Sequence, residues 1–262
     1  MNREEQKQTI KDYLKRLGAG EELESVRVDF VKKFQSVDAA EIMNAEQELI
    51  KEGTPISEVQ RLCDVHSALF HGKTREEQIA NAPKAMVDSI REQRFAKTAE
   101  LVKIPGHPLH TFTLENEALA KTIEKCREAL KNGHVEYKLI EEVRQLAIHY
   151  AKKGDLLYPH LKVKYEISGP SDVMWTVDDE IRDEFAALAK KADSQDDEWK
   201  KRFEAALTRA DEMIYKEANI LFPNCAFNFT DEEWFGIYRD SKDYAECFGV
   251  ENGVWEDAEK AQ

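Results

Sequence analysis

The sequence predicts an all-α protein, and three observations lead to this prediction. The chain has 262 residues, of which 42% are hydrophobic, so it can bury a sizeable core and has the length of two domains. It contains only 11 Gly and 7 Pro, a composition that suits helices and is poor in turns. Apolar residues recur at helical spacing along most of the chain. We therefore expect a small N-terminal helical domain followed by a bundle of four long helices.

Four short amphipathic segments fill the first 80 residues. In the first of them, Ile10, Leu14 and Leu17 share a helix face, and Gly18 supplies a stop. Ser57 is a helix cap for the last of them, which Gly72 ends. Connections this short are typical of helix bundles, so residues 1–80 are predicted to form one compact helical domain. The predicted helices cover residues 4–17, 22–34, 38–49 and 58–70.

The second half has longer periodic segments. Residues 81–105 are helix-prone and polar, which indicates a connecting helix or linker, and Pro105 with Gly106 breaks the pattern. Beyond this break we expect an up-down-up-down four-helix bundle over residues 106–245, followed by a C-terminal tail at 246–262. The four predicted helices cover residues 111–131, 136–163, 171–193 and 196–221.

A weak internal repeat relates the second and fourth of these helices. Residues 150–159 and 214–223 align with a shift of 64 positions, and both stretches change from polar to apolar before a proline. Lys153 and Glu217 fall at the same position of the repeat. The bundle is therefore interpreted as a duplicated helix pair.

Charge and termini limit the classes of function. The net charge of −14 repels phosphate backbones and anionic lipid, so neither nucleic acid nor a membrane is expected as the main partner, and cations are favoured. The first residues lack the apolar stretch of a secretory signal, and no apolar run reaches transmembrane length, which indicates a cytoplasmic protein. The four cysteines are widely separated, as expected of reduced thiols.

Histidine placement suggests a metal site inside the bundle. His107 and His110 lie at the start of the first long helix, where a three-residue spacing can put both on one face, and His149 lies on the second helix. Imidazole and carboxylate groups that point inward from facing helices hold iron, manganese or zinc. The candidate acidic ligands are Glu115, Asp179 or Glu180, Glu212 and Glu217.

A purely structural interpretation applies to the same residues. The chain has 52 acidic residues, most of which are expected on solvated helix faces. An isolated histidine is often a helix cap or a hydrogen-bonded core residue, and we assign His66, His71, His134 and His160 to this class. The sequence has no glycine-rich phosphate loop, Gly-x-Ser-x-Gly elbow or His-Glu-x-x-His motif, which argues against nucleotide, serine-hydrolase and zinc-protease chemistry.

Several stretches carry specific motifs. In the second half these are Gly106-His-Pro-Leu-His-Thr-Phe112, His149-Tyr150 with Leu156-Leu-Tyr-Pro159, Val173-Met-Trp-Thr-Val-Asp-Asp-Glu-Ile-Arg182, and Met213-Ile-Tyr-Lys-Glu217 with Asn219-Ile-Leu-Phe-Pro223. They resemble a hemerythrin-type (HHE) cation-binding domain. In the first half, residues 41–53 and 61–70 are similar to a helical domain of unknown function (DUF438-type) that precedes hemerythrin domains in prokaryotes.

This resemblance implies a hemerythrin-like four-helix bundle and a non-haem iron site. Such domains bind oxygen or serve in nitric oxide, redox or iron sensing, which suggests a binding or sensor protein with a signalling partner more than an enzyme. An open position on iron would also permit a small oxidase or peroxidase. The ligand set that the resemblance implies is His107, His110, His149, Glu180 and Glu217.

The chain departs from the family pattern at four positions. Lys153 stands where a glutamate usually follows His149, and Met213 stands where the fourth helix usually supplies a histidine. Gly154 and Ala218 replace further glutamates. Loss of carboxylates removes negative charge that offsets two cations, so a full bridged di-iron cluster is disfavoured. A mononuclear or otherwise reduced iron site, a haem-binding variant with an axial histidine, and a metal-free signalling or interaction module remain as alternatives.

Overall fold

The computed structural model describes residues 3–19, 21, 25–26, 29, 48, 50–51, 53–55 and 89–261. Within these residues the secondary structure is helical apart from an isolated bridge between Cys247 and Val250, which confirms the predicted all-α class. The predicted helices at 58–70 and, except for a few residues, at 22–34 and 38–49 lie outside the described residues. In the described part of the chain, no helix is both long and apolar enough to cross a membrane.

The chain divides into two compact units. The first contains residues 1–89 and 168–174, and the second contains residues 90–167 and 175–262. In the first unit, helix α1 (Arg3–Gly18) lies where the sequence predicts it and buries Ile10 and Tyr13. Arg16 Nη2 contacts Glu21 Oε1 at 2.5 Å and Asp29 Oδ2 at 3.0 Å, so an ion pair joins the helix to the chain that follows.

Described helices overlap each of the four predicted long segments, and further helices lie at 89–101, 222–228, 231–241 and 256–260. The first of the four segments begins at Pro108 because His107 caps it, and proline is favoured at the first helical position. The second is interrupted at Gln145 and continues as a π-helix after Pro159. The described helices are α2 (Ser89–Leu101), α3 (Pro108–Lys131), α4 (Tyr137–Arg144), α5 (Leu146–Leu156), π1 (His160–Lys164), α6 (Ser168–Ala189), α7 (Asp197–Lys216), π2 (Glu217–Leu221), α8 (Phe222–Asn228), α9 (Asp231–Ser241) and α10 (Glu256–Lys260).

Polar contacts connect the long helices of the second unit. Arg127 on α3 contacts Glu204 at 3.1 Å and Asp211 at 3.1 Å, both on α7. Arg202 on α7 pairs with Glu184 on α6 at 2.8 Å. These pairs are partly exposed, so each contributes about 1 kcal/mol or less, and the buried apolar faces supply most of the stability.

An aromatic cluster fills the end of the unit where α7 begins. Asp196 caps α7 by accepting a hydrogen bond from Trp199 N at 2.8 Å. The Trp199 ring then stacks on Phe203 with centroids 4.7 Å apart, and Phe185 of α6 meets Phe203 edge-on at 5.6 Å. Trp199 Nε1 donates to Leu188 O at 2.9 Å, which satisfies its buried N–H group.

The C-terminal segment packs against the start of α3. Gly106 has φ +77°, and a Cβ atom there would lie 2.3 Å from Val254 C. Glycine therefore permits both the backbone conformation and the close approach. Trp255 is buried, and its backbone N–H donates to Tyr238 Oη at 3.2 Å. Residues 254–255, which the sequence analysis assigns to a tail, are thus packed against the rest of the unit.

Candidate cation site

A buried cluster of ionisable side chains lies where α3, α5, α6 and π2 meet. Each of its side chains is at most 5% exposed. Burial of charged groups is costly unless they are paired and hydrogen-bonded, so this cluster is a distinctive feature of the molecule. We call it the ion cluster. It consists of Glu115, His149, Lys152, Lys153, Asp178 and Glu217.

His149 joins two carboxylates from different helices. Its Nδ1 lies 2.7 Å from Glu115 Oε2, and its Nε2 lies 2.8 Å from Glu217 Oε2. Burial alone would lower the pKa of His149, but the charges and hydrogen bonds of the two carboxylates raise it to about 9. The imidazole is therefore protonated at neutral pH, and both ring nitrogens donate.

The two lysines provide the remaining positive charges. Lys153 Nζ donates to Asp178 Oδ1 at 2.8 Å and also donates to Glu217 Oε1. Lys152 Nζ donates to Glu115 Oε1. The Lys153 ammonium group also lies 4.3 Å from the ring centroid of Tyr150 and 6.0 Å from that of Tyr158, so aromatic faces contribute to its stabilisation.

Charges in the ion cluster balance at neutral pH. Burial raises the pKa of Glu217, but Lys153 and His149 outweigh this effect and lower it to about 2. The pKa of Glu115 is also lowered, since His149 and Lys152 together outweigh burial. Burial raises the pKa of Asp178 to about 6 despite the opposing charge of Lys153, which leaves it ionised at pH 7. Three carboxylates thus face two ammonium groups and one imidazolium.

Two buried oxygens beside the ion cluster have no hydrogen-bond partner among the described residues. Asn116 donates its Nδ2 to Glu217 Oε2 at 2.7 Å, which leaves its Oδ1 unpaired. The Tyr150 hydroxyl is also buried and unpaired, whereas the Tyr158 hydroxyl donates to Asp178 Oδ2 at 2.9 Å. Unsatisfied buried oxygens are uncommon in folded proteins, and these two could accept a hydrogen bond or contact a cation.

A small cavity adjoins Lys152. Its volume of about 10 Å³ corresponds to about one water molecule. A molecule the size of water can therefore lie beside the Lys152–Glu115 pair. The cavity is lined by Pro108, Thr111, Phe112, Lys152, Ser241 and Asn252.

The structure brings together only part of the predicted ligand set. His149 and Glu217 share a hydrogen bond, and Glu115, a candidate acid in the sequence analysis, contacts the same imidazole. Glu180 is exposed on α6, where it pairs with Arg209 at 2.5 Å. Glu180 lies on the exposed face of α6, whereas Asp178, two residues earlier on the same helix, contacts Lys153 in the ion cluster.

His107 and His110 also lie apart from His149. His107 caps α3 by accepting a hydrogen bond at Nδ1 from Leu109 N at 3.1 Å, and its ring packs between Trp234 and Trp255 with centroid distances of 4.8 and 4.6 Å. Burial lowers the pKa of His107 to about 3, so it is neutral and its proton is on Nε2. In this tautomer the lone pair of Nδ1 accepts the hydrogen bond from Leu109 N.

His110 is oriented differently from His107. Its Nδ1 lies 2.7 Å from Val102 O and donates to this carbonyl. The predicted common face of the two histidines does not form, because His107 precedes the first helical residue and His110 follows it. The three-residue spacing is therefore not a helical spacing here.

Sequence analysis missed Lys152, Lys153 and Asp178 as members of the cluster. Lysine is rarely fully buried, so residue type alone does not identify a buried lysine. The available signal was the internal repeat, which places Lys153 opposite Glu217, and these two residues contact each other directly in the structure. Asp178 lies in an acidic run with Asp179 and Glu180, and only the phase of α6 identifies the buried member.

An all-α unit with a buried ion cluster is consistent with the family comparisons. Residues 107–225 match the hemerythrin HHE cation binding domain, and residues 10–76 match a family of unknown function (DUF438). The chain thus contains a region similar to the hemerythrin HHE cation binding domain, preceded by a region similar to the DUF438 family. This match supports a metal-binding role for the domain. No curated protein and no solved structure matches the chain.

The donor set fits one metal cation and does not fit a bridged pair. Three carboxylates and an imidazole are suitable ligands for iron, manganese or zinc, and the unpaired Asn116 oxygen is a further oxygen donor. Within the described residues, however, no three His, Cys, Asp or Glu side chains are already placed to hold one ion. The lysine ammonium groups already occupy positions beside the carboxylates, so a metal cation has to replace at least one of these protein cations.

Proposed function

We propose that the HHE domain binds one metal cation, iron, within the ion cluster, and that the protein is a cytoplasmic sensor or carrier that responds to oxygen, nitric oxide or redox state. The observation that carries this proposal is that donors from four helical segments lie together in one buried ion cluster. His149, Asp178 and Glu217 would hold the cation, and Glu115, on the other ring nitrogen of His149, would orient the imidazole. Bound iron would supply the reactivity toward oxygen or nitric oxide.

Charge supports a single divalent cation. One such cation can replace the ammonium group of Lys153 and the second proton of His149 without changing the net charge of the cluster. His149 has to release a proton to become a ligand, because only an unprotonated ring nitrogen binds a metal. The Glu115–Lys152 pair can stay intact, and Lys152 still borders the cavity.

A metal-free signalling or interaction module is the second candidate function. The balance of three anions and three cations favours it, since the cluster is already neutral and hydrogen-bonded. A haem-binding variant has less support, because the His107 proton is on Nε2 and both nitrogens of His149 contact carboxylates.

Metal analysis tests the proposal. We expect protein purified without chelator to contain about one iron per chain, and metal-free protein to bind one Co²⁺ with a visible absorption band. Glu217→Gln removes one charged ligand and should abolish this uptake, whereas the exposed Glu232→Gln should not change it. Wild-type protein that binds neither metal, with its helical circular dichroism intact, would support the metal-free module.

A further inference from the structure

The Lys153 ammonium group lies at the centre of the negative charge in the ion cluster. It bridges Asp178 on α6 and Glu217 on π2, and the Lys153 side chain is 0% exposed. A buried ammonium group that contacts two carboxylates on separate elements occupies the position of a bridging cation. Lys152 differs, since it pairs with Glu115 and borders the cavity.

The surroundings of Lys153 are suited to a cation. The faces of Tyr150 and Tyr158 lie within 4.3 and 6.0 Å of Nζ, and the Tyr158 hydroxyl holds the second oxygen of Asp178. Asn116 fixes the second oxygen of Glu217 in the same way. Both carboxylates are therefore oriented by other side chains, and a cation between them does not have to reorganise them.

We propose that Lys153 is the resident cation of the ion cluster and that it competes directly with a metal ion for Asp178 and Glu217. This inference rests on the proposed metal binding at the same cluster. Two positive groups cannot share the same pair of buried carboxylates, because like charges a few ångströms apart repel strongly away from water. The charge of Lys153 thus lowers the metal affinity of the site and stabilises the metal-free state.

The internal repeat accounts for this arrangement. Lys153 and Glu217 are equivalent positions of the two repeated helix endings. A pseudo-symmetric pair of helices brings equivalent positions close together, and opposite charges at these positions form a self-complementary ion pair. If positions 153 and 217 were both acidic, two negative charges would lie in contact, and a metal ion would be needed to neutralise them.

Substitution of Lys153 distinguishes competition with a metal ion from a purely structural role of this residue. We would compare wild type, Lys153→Met and the control Lys201→Met, which changes an exposed lysine on α7, by titrating each metal-free protein with Co²⁺. Lys153→Met should bind Co²⁺ at least about tenfold more tightly than wild type, since one competing positive charge is lost. Its melting temperature in chelator should fall by roughly 10 °C, because two buried carboxylates lose a partner.

A double variant covers the case in which Lys153→Met fails to fold. Lys153→Met with Asp178→Asn removes one cation and one anion together, and its melting temperature should return toward that of wild type. Equal Co²⁺ affinity in wild type and Lys153→Met would overturn the inference and leave the proposed function intact. Uptake by Lys153→Met alone would support the inference and contradict metal binding by the wild type. A lack of uptake by both Lys153→Met and the double variant would overturn the inference.

Discussion

Lys153 and Glu217 occupy equivalent positions of the internal repeat, 64 residues apart, and they form a direct ion pair in the core of the second unit. The pair connects the ending of one helix of the duplicated pair to the ending of the other. Asp178 shares the Lys153 ammonium group, and His149 shares the Glu217 carboxylate. The charges that hold these helices together are therefore the same charges on which metal binding would depend.

Asn116→Asp should destabilise the metal-free protein by about 2–4 kcal/mol. The Asn116 amide donates to Glu217 at 2.7 Å, so a carboxylate there places two negative charges in contact and adds a fourth anion to the ion cluster. Addition of Co²⁺ should recover part of this loss. Urea unfolding in chelator and in Co²⁺ measures both effects. Gln93→Glu, on the exposed side of α2, should change neither, and similar stabilities of the two variants in chelator would contradict the prediction.

His107→Asn should change how stability depends on pH. The pKa of His107 is about 3 in the folded protein and about 6.5 in an unfolded chain, so the unfolded state binds a proton that the folded state does not. This contribution to stability is present above pH 6.5 and is lost as the pH falls toward 3. Asparagine can still cap α3 but has no such titration.

The free energy of unfolding by urea at pH 7, 6 and 5 tests this prediction. The difference between wild type and His107→Asn should shrink by about 1.4 kcal/mol for each pH unit below about 6. The exposed His134→Asn serves as the control for the loss of an imidazole from the surface. A difference that is independent of pH at position 107 would show that the buried imidazole does not resist protonation.

Gly154→Ala should raise stability by about 0.5–1 kcal/mol. Gly154 is inside α5, and a Cβ atom there would have no heavy atom within 4 Å, so alanine gains helix propensity without a clash. Gly249→Ala should have the opposite effect, because its φ of +70° is strained for any residue with a Cβ. Thermal melts show whether each variant raises or lowers the melting temperature. A lower melting temperature for Gly154→Ala would contradict the prediction that an added methyl group meets no clash there.

Gly106→Ala should destabilise the second unit by about 3 kcal/mol or more. The new methyl group would overlap the backbone of Val254 and Trp255, in addition to the strain of a positive φ. Gly133→Ala is the matched control, since its φ is +92° but the space around it is open, and it should cost only about 1–2 kcal/mol. Faster hydrogen exchange at residues 254–258 should accompany only the first variant. Equal costs would show that the C-terminal segment does not depend on this contact.

Helical periodicity was sufficient to predict the long helices of the second half. Their ends follow from local chemistry that is visible in the sequence, such as the Asp196 cap and the Asn132-Gly133 turn. The interruption at Gln145 and the two π-helical turns could not be predicted, because periodicity cannot distinguish an α-helix from a slightly overwound or underwound turn. The predicted bundle topology stays a prediction.

The ligand roles of the candidate site residues stay predictions, but the structure shows which of these residues are buried together. His149 and Glu217 lie on the repeated helices and point inward, as the pattern indicated. The location of His107 could not be predicted because a cap residue does not follow helical spacing, and the exposure of Glu180 because three consecutive acids differ only in helix phase. The burial of Lys152 and Lys153 could not be predicted from the local sequence, because it depends on acidic partners on distant segments.

Anomalous diffraction from crystals of the wild-type protein soaked in Co²⁺ would locate a bound cation directly. Our account predicts one strong anomalous peak inside the ion cluster, within bonding distance of His149 and Glu217, with the Lys153 ammonium group moved away from Glu217. Anomalous peaks confined to surface carboxylates, with the Lys153–Glu217 pair intact, would contradict metal binding by this domain.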